Sequence, residues 1–393
     1  MLNFPQYALD CLEIIEQNGF EAYFVGGCVR DMILARESDD IDIATSAQPQ
    51  EIIKIFEHTI PTGISHGTVT VIIDGFSIEV TTYRTDGQYT DSRHPEKVEY
   101  VSDIRQDLSR RDFTINALAY NPKQEIIDLF GGIGDLERKT IKSVGNPKLR
   151  FSEDALRILR AYRFSSVLDF DIESETEKAA LNLSDTLSFI SGERIYKELI
   201  KLLSGKRPQI ILGLLNCGGL DFFGIDTCKY DYNTFCRIKD VSDNCLFRFA
   251  LFVSLCKHDS IKIKTILNAE KKVLDLIDFL DSISDFAIPK TKTEFKRFLS
   301  KFGTHKTDLY LSYIKLLYPD RSDDLVGYKN EIEANSEPYL TSHIKINGQV
   351  LLELGFKGRK IGELLEKATE YVIEHPENNS REKILEYLKK ETH

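Results

Sequence analysis

Apolar positions in the first 137 residues fall into short runs at 22–25, 41–44, 68–73 and 76–83. Runs of that length, rich in β-branched and aromatic residues, predict strands. Asp74-Gly75 lies between the last two and predicts a tight hairpin. Apolar residues at three- to four-residue spacing predict helices over 8–17, 29–35 and 50–56, and 108–120 also reads as a helix-like run. From 138 onward strand patterning fades, and 150–205, 206–330 and 340–390 read as successive helices. Arg207-Pro208, Tyr318-Pro319-Asp320 and the polar stretch 330–342 read as joints. The pattern therefore predicts an α+β head followed by an all-helical body.

At 393 residues the chain exceeds a single core, so several domains are expected. The expected division is a head at 1–137, a helical neck at 138–205, a body at 206–330 and a tail at 331–393. No apolar run approaches the ~20 residues of a membrane span, and the N-terminal stretch MLNFPQYALDCLEIIEQ lacks a signal-peptide pattern. A cytoplasmic location is expected. Seven cysteines without a C-x-x-C pair predict buried free thiols rather than zinc. The net charge of −11 argues against a globally basic nucleic-acid binder. Residues 138–165 nevertheless hold eight basic side chains against two acids, Glu153 and Asp154. Polyanion binding needs such a patch rather than a basic total.

Candidate chemistry lies in the head. In YFVGGCVRDMIL, Gly26 and Gly27 stand between a strand and a helix, where bare backbone N–H groups can approach a phosphate. Arg30, one turn in, suits another phosphate oxygen; a simple turn is the alternative. In SDDIDIATS, Asp40 and Asp42 project from one face of a strand. Two adjacent carboxylates repel unless a cation neutralises them, and Mg²⁺ binds one or two carboxylates plus substrate phosphates. Glu79, on the 76–83 strand, is a candidate third carboxylate or a solvated side chain. In LSRRDFTINALAY, Arg111 suits a bidentate grip on a triphosphate, while Asp112 fits helix capping and Asn116 a structural hydrogen bond.

The stretch EDALRILRAYRF at 153–164 is predicted as one helix. Its wheel places Asp154, Arg157, Arg160 and Arg163 on one flank and Ala155, Ile158, Leu159 and Tyr162 on the other. Leu156 lies at the border and Phe164 on the charged side. An exposed face with a Glu153–Arg157 pair is the alternative, and it leaves Arg160 and Arg163 without partners nearby in sequence.

Together, Gly26-Gly27-Cys28-Val29-Arg30-Asp31, Asp40-Ile41-Asp42, Arg110–Ala117, Glu153–Phe164 and Glu193-Arg194-Ile195 with Glu198 resemble the class II tRNA nucleotidyltransferases. That group comprises the CCA-adding enzymes and their bacterial poly(A) polymerase relatives. The resemblance covers roughly 20–205 and is diffuse beyond. It implies a DNA polymerase β-like nucleotidyltransferase head, with helical neck, body and tail. It also implies template-independent, Mg²⁺-dependent addition of CCA to the 3′ end of tRNA from CTP and ATP, with release of pyrophosphate. By the same resemblance, Asp40 and Asp42 bind the metal, and Gly26, Gly27, Arg30, Arg111, Arg160 and Arg163 serve the nucleotide. The resemblance also implies that Asp154 and Arg157 act as a base-reading pair: a carboxylate accepts from the exocyclic amine of CTP or ATP, and a guanidinium only donates.

The polar insertion at 84–101 resembles the loop of relatives able to add the terminal adenosine, so full CCA addition is favoured over two cytidines alone. An A-adding enzyme, a bacterial poly(A) polymerase and a non-catalytic RNA-binding relative are the alternatives. Lys345, Lys357, Arg359 and Lys360 in the tail suit tRNA contact or plain solvation. A monomer or a homodimer is expected, with no membrane partner and no attached His-Asp phosphohydrolase domain.

Overall fold

The computed structural model describes residues 2–38, 40–86, 98–228, 230–284 and 286–392. Its head is built on β1 (Ala22–Val25), β2 (Asp42–Thr45), β3 (Thr59–Gly63), β4 (Thr68–Ile73) and β5 (Phe76–Thr82). A separate ribbon pairs β6 (Arg84–Asp86) with β7 (Val98–Tyr100), and β8 (Leu118–Asn121) and β9 (Glu125–Asp128) return to the main sheet. The seven strands run in the order β3-β4-β5-β2-β1-β8-β9. Only the β2–β5 pairing is parallel, and it sets Asp42 directly opposite Glu79. Asp74 and Gly75 both adopt positive φ (52° and 82°), which the two-residue turn of the β4–β5 hairpin demands. Residues 87–97, holding most of the polar insertion, lie outside the described residues.

Helices α1 (Gln6–Gln17), α2 (Gly27–Ile33) and α3 (Pro49–Ile55) pack on the sheet. Phe4 stacks on Phe24 of the wholly buried β1 at 3.9 Å between ring centroids. The helix-like run expected at 108–120 is not a helix. Helix α4 (Ile104–Ser109) stops at its start, and the apolar residues that follow become β8, an interior strand buried along its length. Continuous burial removes the two-residue alternation that would have marked it as a strand.

Beyond α5 (Gly132–Glu137), the two-residue strand β10 (Thr140–Ile141) pairs in parallel with β11 (Asp171–Ile172). Around them lie α6 (Pro147–Glu153), α7 (Leu156–Leu168), α8 (Ser174–Asn182) and α9 (Gly192–Leu203). The single helix expected over 153–164 is two. Asp154 is extended (φ −142°, ψ 106°), and its Oδ1 accepts from the Leu156 N–H at 3.0 Å. Short acidic side chains compete in this way for local backbone donors, which is why they favour helix ends.

The chain then continues through α10 (Leu212–Asn216), β12 (Ile225–Cys228), α11 (Tyr232–Val241), α12 (Cys245–Leu255), β13 (Cys256–His258), α13 (Ser260–Thr265) and α14 (Lys271–Ser284). Among the described residues, four short strands therefore lie in the part read as all-helical. Met1–Lys239 with Asn244–Leu274 forms one compact unit, and Asp240–Asp243 with Asp275–His393 forms another. The second unit contains α15 (Lys292–Leu317), kinked at Gly303 (φ 78°, ψ 166°), and α16 (Pro319–Ala334). It ends in α17 (Gly348–Glu353), α18 (Arg359–Glu374) and α19 (Arg381–Thr392), packed around Ile344, Leu351, Leu364, Val372 and Leu388. The body–tail boundary expected at 330 falls inside α16.

The cysteines depart from the expectation of buried thiols. Cys11, Cys28 and Cys256 are buried, but Cys228, Cys236 and Cys245 are only half-buried and Cys217 is exposed.

Candidate active site

One cleft of about 630 Å³ opens on the first unit. Its floor starts where β1 ends. Gly26 caps α2 with φ 73° and ψ −128°, a conformation open in practice only to glycine, and a Cβ there would stand 2.8 Å from Arg111 Nη1. Arg30, one turn along α2, is buried; it pairs with Asp31 at 2.7 Å and donates to Asn116 Oδ1 at 2.6 Å.

Beside that turn, Asp40 and Asp42 line the same cleft. Strand β2 begins only at Asp42, so Asp40 precedes it. Burial, the facing Glu79 and the nearby Asp40 push the Asp42 carboxyl up to about 6, with Arg111 opposing them. Such a carboxylate is short of positive charge. Glu79 is exposed and in register with Asp42, but is not part of the cleft wall. Among the described residues, no three His, Cys, Asp or Glu side chains form a ligand cluster. The donor set fits a hard divalent cation held by Asp40 and Asp42 with its remaining positions filled by phosphate oxygens and water.

Arginine dominates the rest of the lining. Arg110, Arg111, Arg157, Arg160, Arg163 and Arg194 all reach it, with Arg30 at the floor. Arg111 is tied to the buried Asp107 at 3.1 Å, and Arg110 to the same carboxylate at 2.7 Å. Arg157 is 8% exposed, which removes the solvated-face reading of α7. It pairs with Glu153 at 2.6 Å and donates to the carbonyls of Arg150 (3.2 Å) and Arg110 (3.1 Å).

Arg160 and Arg163, without partners nearby in sequence, find them across the fold. Arg160 meets Asp112 Oδ2 at 2.6 Å, and Arg163 lies 2.6 Å from Glu198 of α9. Asp112 also accepts from Asn116 (3.1 Å) and from the Phe113 N–H (2.8 Å). Burial would raise its carboxyl, but Arg160 and the Asn116 hydrogen bond hold it at about 2. Burial and the neighbouring Arg160 bring Arg163 down to about 10, which leaves it charged at neutral pH.

Several participants were not assigned from the sequence. Phe164 is 6% exposed, and the guanidinium carbons of Arg163, Arg30 and Arg160 lie 4.0, 5.2 and 5.3 Å from its ring centroid. Its ring meets that of Phe113 edge-to-face at 80°, with centroids 5.7 Å apart. An aromatic on the charged flank of an amphipathic helix was the available signal. Arg194 reaches Asp154 at 2.8 Å and gives that carboxylate an ion-pair partner. Glu198 follows Arg194 by four positions, a helical spacing that puts both on one face.

A glycine turn, a carboxylate pair and a row of arginines in one cleft beside a mixed sheet fit the chemistry of a nucleotidyltransferase. The family described as Poly A polymerase head domain matches residues 22–142, and that described as Probable RNA and SrmB- binding site of polymerase A matches 169–220. A CCA-adding enzyme of Lactobacillus delbrueckii subsp. bulgaricus is 39% identical over 392 residues, covering 97% of this chain and 96% of the relative. One from Ligilactobacillus salivarius is 38% identical over 402 residues, covering 98% and 96%. The crystal structure of the Bacillus stearothermophilus CCA-adding enzyme in complex with CTP superposes with a TM-score of 0.74 at 29% identity, covering 98% and 97%. The chain belongs to the CCA-adding enzyme family.

Proposed function

We propose that this chain adds cytidine, cytidine and adenosine to the 3′ end of tRNA, using CTP and ATP, releasing pyrophosphate and using no nucleic-acid template. One observation carries the reading. The carboxylate pair, the Gly26–Gly27 turn and the arginine wall converge on a single cleft, in a chain similar to CCA-adding enzymes over nearly its whole length.

In this reading the backbone at Gly26 and Gly27 approaches the triphosphate, while Arg30 and Arg111 bind its oxygens. Asp40 and Asp42 hold the divalent cation, for which Mg²⁺ is the choice. When bound, the ion neutralises phosphate charge and favours the attacking 3′ hydroxyl. Glu79, opposite Asp42, adds negative potential that keeps the pair in need of a cation. Arg160 and Arg163 set positive potential along the nucleotide.

Base choice falls to Asp154 and Arg157. Asp154 spends one lone pair of each oxygen on Leu156 N–H and Arg194, and each oxygen retains another for an exocyclic amine. UTP and GTP present a carbonyl there, acceptor against acceptor. An unpaired buried polar group costs roughly 1–3 kcal/mol, enough to select against them. The neck serves nucleotide selection and the tail tRNA, and the enzyme works in the cytoplasm.

The test is extension of a tRNA truncated before its 3′ CCA, with Mg²⁺, CTP and ATP, followed by sequencing of the products. Addition of all three nucleotides supports the reading. Adenosine added only to a tRNA already ending in CC would establish an A-adding enzyme, and no incorporation would end the catalytic reading.

A further inference from the structure

Cys228 and Cys256 are 28 positions apart, yet strands β12 and β13 pair them directly across an antiparallel ribbon. Both are free thiols, and their sulfurs stand 3.0 Å apart. The fold imposes this proximity. Cys256 terminates α12, whose face from Phe247 to Leu255 is almost wholly buried. Arg248 of that helix anchors it by donating to the carbonyl of Ser204 at 3.0 Å. Two thiols fall short of the four ligands of a structural zinc site, and no three-residue ligand cluster exists among the described residues. Cross-strand cysteines in direct register lie within the Cα separation a disulfide accepts, and closure needs about 1 Å of sulfur movement.

We propose that Cys228 and Cys256 form a dithiol that exchanges with small-molecule disulfides and closes reversibly into an intrachain disulfide. Cys228, half-buried, is the accessible sulfur, whereas Cys256 is 2% exposed. A hydrogen bond from Cys256 holds the Cys228 thiol below its ordinary range, which favours its thiolate. The Cys228 thiolate attacks one sulfur of the disulfide RSSR and releases RS⁻. Cys256 then gives its proton to RS⁻, forming RSH, and attacks Cys228 Sγ, displacing the second thiolate, which takes a proton from solvent. One RSSR is reduced to two RSH as the two protein thiols are oxidised.

The experiment treats the full-length protein with hydroxyethyl disulfide, blocks remaining thiols and maps peptides by mass without reduction. Expected is a cross-link joining the Cys228 and Cys256 peptides, the linked pair two hydrogens lighter than its separate peptides whatever adducts form at the exposed Cys217, and its reversal by dithiothreitol. Cys256→Ser stops at a mixed disulfide on Cys228, and Cys228→Ser leaves Cys256 unmodified. Accumulation of the open mixed adduct in the unmutated protein, a cross-link elsewhere, or no reaction at Cys228 overturns the proposal. The wild-type map decides closure even if a serine variant fails to fold.

Discussion

Arg194 Nη2 stands 2.8 Å from Asp154 Oδ2, across 40 positions of sequence. It fixes the carboxylate proposed to accept a base amine, so it controls where that acceptor points. Arg194→Ala is expected to lower kcat/KM for CTP and ATP roughly 10-fold and to narrow the gap to UTP and GTP by about the same factor. Single-nucleotide incorporation on truncated tRNA measures both, and Arg194→Lys restores part of the loss. Unchanged rejection of UTP and GTP would remove Asp154 from base choice.

Asp42 carries a cost in the folded state. Its carboxyl is raised from 3.8 to about 6, so between those pH values the folded protein holds a proton there that the unfolded chain has released. Stability at this site is present below the unfolded value and declines as pH rises through about 6. Asp42→Asn is therefore expected to stabilise the fold at pH 7 by about 3 kcal/mol at most and to abolish incorporation. Denaturant melts and the truncated-tRNA assay check the two halves. Under limiting Mg²⁺ the acid limb of activity falls near pH 6, and saturating Mg²⁺ moves it to lower pH.

Asp112 carries the opposite sign. Its carboxyl, held at about 2, contributes stability above the unfolded 3.8 that is lost as pH falls through about 2. Asp112→Ala strips the closest partner from Arg160 and is expected to cost about 3–5 kcal/mol. A double-mutant cycle with Arg160→Ala should return a clear coupling energy in chemical denaturation; additivity would show the pair to be energetically idle.

Gly26→Ala forces a side chain into φ 73° and against Arg111. The expected cost is about 1–3 kcal/mol of stability, with KM for CTP and ATP raised more than KM for tRNA. Steady-state kinetics at varied nucleotide and varied tRNA separate these, and an unchanged nucleotide KM would refute close backbone approach to the phosphates.

Phe164→Leu keeps apolar volume and deletes the ring that three guanidiniums share. Cation–π attraction of about 1–2 kcal/mol predicts a 5- to 30-fold rise in KM for CTP and ATP. Phe164→Tyr should restore it. Equal losses in both variants would mean the ring only fills space.

The sequence by itself determined what depends on neighbours along the chain. Strands β1, β4 and β5, the Asp74–Gly75 hairpin between the last two and the Gly26–Gly27 turn follow from local periodicity or local φ/ψ demands, whereas Asp40, read as a strand residue beside Asp42, precedes β2. These terms act within a few residues, so a linear reading captures them. The buried strand β8 escaped because burial on all sides erases alternation, and the break at Asp154 escaped because one capping hydrogen bond outweighed a helical wheel. Only tertiary structure decided the partners: Asp154 with Arg194, Arg160 with Asp112, Arg163 with Glu198, Asp42 facing Glu79, and Cys228 against Cys256. Charge pairing acts through distance in space, and the cleft's electrostatics exist only once the sheet, α7 and α9 have closed around it.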